Sequence, residues 1–109
     1  MTVHYLLNCY SSRIMVKQEE GDEGAFHVNI QSNANPLSFG NTLYTARSKE
    51  QAIRIADQLC AFYAMAKVNG YYLDGKWFRQ ENRSDISAEH VLMKERTTEE
   101  MHALLASAQ

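Results

Sequence analysis

SKEQAIRIADQLCAFYAMAKVNG, residues 48–70, decides how the rest of the chain is read. Ser48 is a helix-capping residue, and Gln51 stands three positions on, where a capping-box partner belongs. Glu50 precedes Arg54 in the favoured i,i+4 order. Asn69-Gly70 supplies a left-handed stop. The spacing predicts a helix from Ser48 to about Val68. Its first half is amphipathic, with Ala52, Ile55, Ala56 and Leu59 in one stripe. Its second half, Leu59 to Ala66, is apolar on every side, and such a helix must be covered on more than one face. A sheet covers one. The last helix, a second subunit or a partner must cover the rest.

Upstream, Val3 to Tyr10 is rich in strand formers, and Arg13 to Lys17 is read as the same strand continued past a Ser11-Ser12 break. Gln18 to Gly24, QEEGDEG, is a polar turn. Phe26, Val28 and Ile30 then alternate with His27, Asn29 and Gln31, the period of a half-buried strand, which makes a hairpin with the one before. Residues 32–41 read as a loop and Asn41 to Arg47 as a third strand. Downstream, Tyr71 to Phe78 is a compact hairpin in which Asp74-Gly75 suits a type I′ turn. Arg79 to Asp85 is a charged loop, and His90 to Glu95 is read as a strand. Thr97 to Glu100 then caps a short last helix with Met101, Leu104 and Leu105 inward. The expectation is a single α+β domain over residues 1–109. Its antiparallel sheet of five or six strands packs on one long helix, in the order β-β-β-α-β-β-β-α.

Composition narrows the function classes. The 109 residues hold 11 Lys+Arg against 13 Asp+Glu, for a net charge of −2. That argues against a protein held to nucleic acid mainly by phosphate contacts. An apolar share of 45% is that of a globular chain. The longest apolar run, Leu59 to Ala66, falls far short of the ~20 residues of a membrane span. No secretory signal is visible at the N-terminus, so a cytoplasmic setting is expected, with Cys9 and Cys60 as buried free thiols.

Nothing in the motifs points to catalysis. A nucleophile needs a base and an orienting group that converge on it. Cys9 with His27 or His90 meets that only as a list of residue types, and His4 and His102 add no motif. The Glu99-Glu100-Met101-His102 spacing places a carboxylate and an imidazole on one helix face. A di-metal site needs a second such motif, however, and the acids are better read as N-terminal capping. No enzyme, cofactor or metal is expected.

Aromatic residues carry the functional expectation. Tyr71, Tyr72, Trp77 and Phe78 crowd one tight turn, where such residues pin a hairpin to its core, anchor a partner or stack bases. Tyr63 lies on the all-apolar half of the helix. Glu19, Glu20, Asp22 and Glu23 form an acidic tip that offers a second surface.

Thr45-Ala46-Arg47-Ser48-Lys49-Glu50-Gln51-Ala52, at the end of a β-β-β-α run, resembles the arm-binding domains of phage integrases. There too a strand ends in a Thr/Ser-Lys-x-x-Ala helix start. Some anti-CRISPR proteins, small phage inhibitors of bacterial defence, are similar in strand-helix pattern. The resemblance implies a phage or mobile-element setting, with weak nucleic-acid binding through the aromatics and Lys76, Arg79 and Arg83 as the alternative function. It departs at the acidic tip, where an arm-binding domain carries basic strands. The leading expectation is a small non-enzymatic protein-binding module, an inhibitor or adaptor, that acts by surface occlusion. Its contacts are Tyr63, Tyr71, Tyr72, Trp77 and Phe78 with the acidic tip, its partner is another protein or a second copy, and no membrane is involved.

Overall fold

A computed structural model describes residues 2–10, 12–21, 23–32 and 40–107, with the side chain of Ser32 left out. Four strands precede the long helix: β1 (Thr2–Cys9), β2 (Ser12–Gln18), β3 (Phe26–Ser32) and β4 (Asn41–Ala46). They form one antiparallel sheet in sequence order, a meander. α1 (Lys49–Val68) crosses one face of it. Beyond α1 come β5 (Tyr72–Asp74), β6 (Trp77–Arg79) and β7 (Ile86–Ser87), a second antiparallel sheet, then α2 (Ala88–Leu92) and α3 (Thr98–Ser107). The chain is α+β, as expected, but with strands divided four and three between two sheets.

Three local readings change. Val3 to Lys17 is two strands, because Cys9 pairs with Ser12 and the chain reverses just after Tyr10. Two-residue hairpin loops need a positive φ, and Tyr10 supplies it at 57° without the usual glycine or asparagine. The segment from His90 is helical rather than extended. Ser87 caps α2 by accepting from the His90 N–H at 3.3 Å. Its far end is held from outside. Gln58 Nε2 donates to the Val91 and Lys94 carbonyls, and Arg96 donates to the His90 and Val91 carbonyls. Those orphan carbonyls are the ones a short helix must hand to another group. With α2 packed beside β4, the hairpin strands cannot extend the first sheet, and β6 pairs instead with β7.

The third correction concerns the cysteines. Cys9 and Cys60 form a disulfide, with Cα atoms 5.8 Å apart, so the described residues hold no free thiol. Cys9 ends β1 on the inward face, and Cys60 lies on the side of α1 that meets this end of the sheet. The expectation of free thiols rested on compartment, and a spacing of 51 residues gave no sign of the contact.

The helix ends behave as their chemistry dictates. Ser48 Oγ accepts from the Gln51 N–H at 3.1 Å. At the other end Tyr71 N donates to the Ala66 carbonyl and Gly70 N to that of Lys67, the paired bonds of a Schellman motif, with Gly70 at φ 87°. Thr97 and Glu100 close a reciprocal capping box at the start of α3, with bonds of 3.1 and 3.2 Å. The Thr97 N–H holds the Glu100 carboxyl below its usual pKa. A depressed folded-state pKa adds stability above the unfolded value, and that stability is lost as pH falls through the folded value. A Glu100→Gln variant is therefore expected to melt below the wild type at neutral pH and to converge with it in acid, which thermal melts across that range will check.

One core runs through both sheets. Ile14, Val16, Val28 and Ile30 from the first sheet meet Ile55, Leu59 and Phe62 of α1, and Phe78, Ile86, Val91, Leu92, Met101 and Leu105 close it from the other side. No residue from Leu59 to Ala66 is exposed, and α1 as a whole packs against the first sheet, α2, α3 and β5. No helix of the described residues is long and apolar enough to cross a membrane.

Candidate protein-binding surface

Strand pairing sorts the hairpin aromatics by face. Gly75, at φ 63°, and Lys76 form the turn, so Asp74 pairs with Trp77, Leu73 with Phe78 and Tyr72 with Arg79. Only the first central residue has positive φ, the pattern of a type II′ turn rather than the expected I′ turn on Asp74-Gly75. Paired residues share a face, so Tyr72, Asp74, Trp77 and Arg79 look outward while Leu73 and Phe78 look to α1. Phe78 is 1% exposed and meets Phe62 edge-on, with centroids 5.0 Å apart. Tyr71 is 4% exposed, and the Arg83 guanidinium lies over its ring at 5.7 Å. Of the four, Tyr71 and Phe78 are core residues that support the surface from beneath. Tyr72 and Trp77 remain 59% and 44% exposed.

Two concavities flank this outward pair. Tyr72, with Tyr63 and Lys67 of α1, lines a cleft of about 220 Å³ floored by Ala66, Tyr71 and Phe78. The Lys67 ammonium stands 5.6 Å from the Tyr10 ring and 5.8 Å from the Tyr63 ring. The Cys9–Cys60 bridge holds that wall together. Tyr10 follows Cys9, and Tyr63 is one turn beyond Cys60, which brings the two rings to 6.3 Å. On the other side Trp77 lines a groove of about 330 Å³ with Ile86, His90 and Leu104. Met93, at the end of α2, is also exposed. Tyr72 and Trp77 are diagonal neighbours across the hairpin, so cleft and groove adjoin.

Tyr63, Tyr71, Tyr72, Trp77 and Phe78 thus share one region of the molecule. The acidic tip does not. It sits in the β2–β3 turn, at the opposite end of β2 from Tyr10; Glu19, Glu20 and Glu23 are exposed, and Asp22 lies outside the described residues. The basic side chains of the alternative reading are mostly engaged. Arg79 stands 3.6 Å from both Asp74 and Asp85, and Arg83 donates to the Leu105 carbonyl at 2.8 Å. Lys76 is exposed in the hairpin turn. Tyr10, Lys67 and Met93 were not singled out from the sequence. The turn that brings Tyr10 to α1 carries no glycine or asparagine to announce it.

Among the described residues no group of three or more His, Cys, Asp or Glu is placed to hold a metal ion. What the described residues offer at this surface is aromatic area with hydroxyl and indole donors and the ammonium groups of Lys67 and Lys76. Four strands rather than three precede α1, which separates the chain from the three-stranded arm-binding pattern. No family model, curated protein or solved structure matches the chain.

Proposed function

We propose that the chain is a non-enzymatic protein-binding module, an inhibitor or adaptor, that occludes its partner through the surface around Tyr72 and Trp77. The observation that carries this reading is the split within the hairpin. Trp77 stays exposed on a strand whose next residue, Phe78, is buried in the core, so the indole is presented on a backbone anchored to that core. Rigid, half-exposed Trp and Tyr beside shallow pockets are the usual anchors of protein contacts. Tyr63 and Lys67 extend the contact from α1, and the acidic tip is left as a separate surface. Carboxylates beside Arg79 and the carbonyl on Arg83 favour a protein partner over the nucleic-acid alternative, because phosphates would have to displace them. The Cys9–Cys60 bridge favours an oxidising setting over the cytoplasmic one expected from the lack of a visible secretory signal.

Affinity capture from cells of the source organism tests the reading. The wild type is expected to retain a protein partner that Trp77→Ala loses, while Lys76→Ala with Arg79→Ala retains it. Retention of nucleic acid that falls steeply with salt, and is lost in the Lys76 and Arg79 variants, would overturn it.

A further inference from the structure

We propose that the open edge of β1 pairs antiparallel with β1 of a second copy, joining two four-stranded sheets into one of eight across a two-fold axis. The two edges of the first sheet differ. β4 has α2 beside it, and Lys76 and Glu89 wall its flank, whereas among the described residues β1 has only β2 in its sheet and α1 over one face. Exposed edges are ordinarily blunted by charge, proline or bulges. Thr2 to Cys9 contains no Asp, Glu, Lys, Arg or Pro. Its one irregularity falls between Val3 and Tyr5, which leaves Tyr5 to Cys9 regular. Leu6, half exposed, lies in that regular stretch.

The regular stretch is complementary to itself. The residues flanking a two-residue hairpin loop exchange both backbone bonds, and bonded and non-bonded pairs alternate along the ladder. Cys9 flanks the loop, so Cys9, Leu7 and Tyr5 spend their backbone groups on β2, while Leu6 and Asn8 turn theirs to the open edge. A two-fold axis through Leu7 sets Leu6 of each copy against Asn8 of the other. Both residues then exchange N–H and C=O, which gives four bonds, and side chains on each face stay matched. The strand is already held for this. Tyr5 Oη donates to Asp57 at 2.6 Å and Cys9 is bridged to Cys60, so little order is lost on pairing. A net charge of −2 per copy opposes the approach only weakly. The proposal does not depend on the Trp77 surface.

Light scattering over a dilution series reads the result directly. The wild type is expected at twice the 12.5 kDa chain mass, dissociating on dilution. The double variant Leu6→Lys/Asn8→Lys sets like charges opposite one another across the axis and is expected at the single-chain mass, with an unchanged circular dichroism spectrum. Trp77→Ala is expected to remain dimeric. Amide exchange of the unmodified protein gives a second reading that needs no variant: Leu6 and Asn8 should be protected at high concentration and exposed on dilution. A single-chain mass at every concentration overturns the proposal. So does a dimer lost in Trp77→Ala, or one in which the Leu6 and Asn8 amides exchange freely; pairing of β1 with a foreign extended peptide alone would show the first of these.

Discussion

Cys9→Ser is expected to lower the unfolding free energy by about 4 kcal/mol. The bridge closes a loop with a sequence separation of 51, and the chain-entropy relation gives roughly that loss for a loop of such length. The cost falls on the unfolded chain. Serine is close in size to the thiol it replaces, so no large cavity opens at a site only 2% exposed. The wild type treated with reductant is expected to show the same loss. Guanidinium unfolding with and without reductant measures it, and peptide mapping under non-reducing conditions establishes the Cys9–Cys60 link. Coincident curves, with the link present in one sample and absent in the other, would show that the bridge contributes nothing. A second consequence reaches the cleft. Without the bridge, Tyr10 keeps its contacts with Tyr63 and Lys67 of α1 but loses the covalent tie one residue away.

Phe78→Ala is expected to cost about 3–5 kcal/mol, the range for emptying a buried aromatic site. Its ring is the part of the small sheet that stacks edge-on against Phe62, at the point where the sheet meets α1. The three strands of that sheet are three, three and two residues long, too short to hold together unaided. Trp77→Ala, one residue away on the outward face, is expected to cost less than about 1 kcal/mol, as surface substitutions do. Chemical denaturation of the two variants side by side checks the contrast. Equal losses would mean that Trp77 is also a packing residue and that the proposed surface has no anchor. Amide exchange in β5 and β6 separates local melting from global loss, since the Phe78 variant should expose that sheet first.

The two variants also show what the sequence could and could not disclose. α1 was legible from end to end because its signals are local: Ser48 and Gln51 meet within one turn, and Asn69-Gly70 stops the helix with bonds to its own last carbonyls. Alternation in β3 was legible in part for the same reason: Phe26, Val28 and Ile30 do turn to the core side, but Asn29, read onto the polar face, is buried as well, where the register shifts beside Val28. Thr97 with Glu100 was read correctly as a fresh cap.

What was missed depends on groups distant in sequence. A short apolar run such as Val91-Leu92-Met93 fits strand or helix equally well. The choice is made by Gln58, more than thirty residues earlier, and by Arg96, which take the carbonyls α2 leaves open. Tyr10 adopts a left-handed conformation that tyrosine rarely enters, so the first hairpin had no turn signature. The disulfide follows from that hairpin, since only the reversal at Tyr10 sets the end of β1 opposite Cys60. In the candidate site the sequence named residues that the structure places in one region, but it could not tell which are exposed and which buried. Tyr71 and Tyr72 are neighbours of one type, and so nearly are Trp77 and Phe78. Strand register alone decides that one of each pair is buried and the other presented.

That presented pair is the centre of the account, and a photo-crosslinking residue at position 77 tests it most directly. Placed in the full chain and irradiated in cells of the source organism, it is expected to yield one dominant adduct with another protein. The same group at Glu81, which is also exposed but off the hairpin face, should yield none. Adducts at position 77 no stronger than those at Glu81, or adducts with nucleic acid instead of protein, would contradict the account.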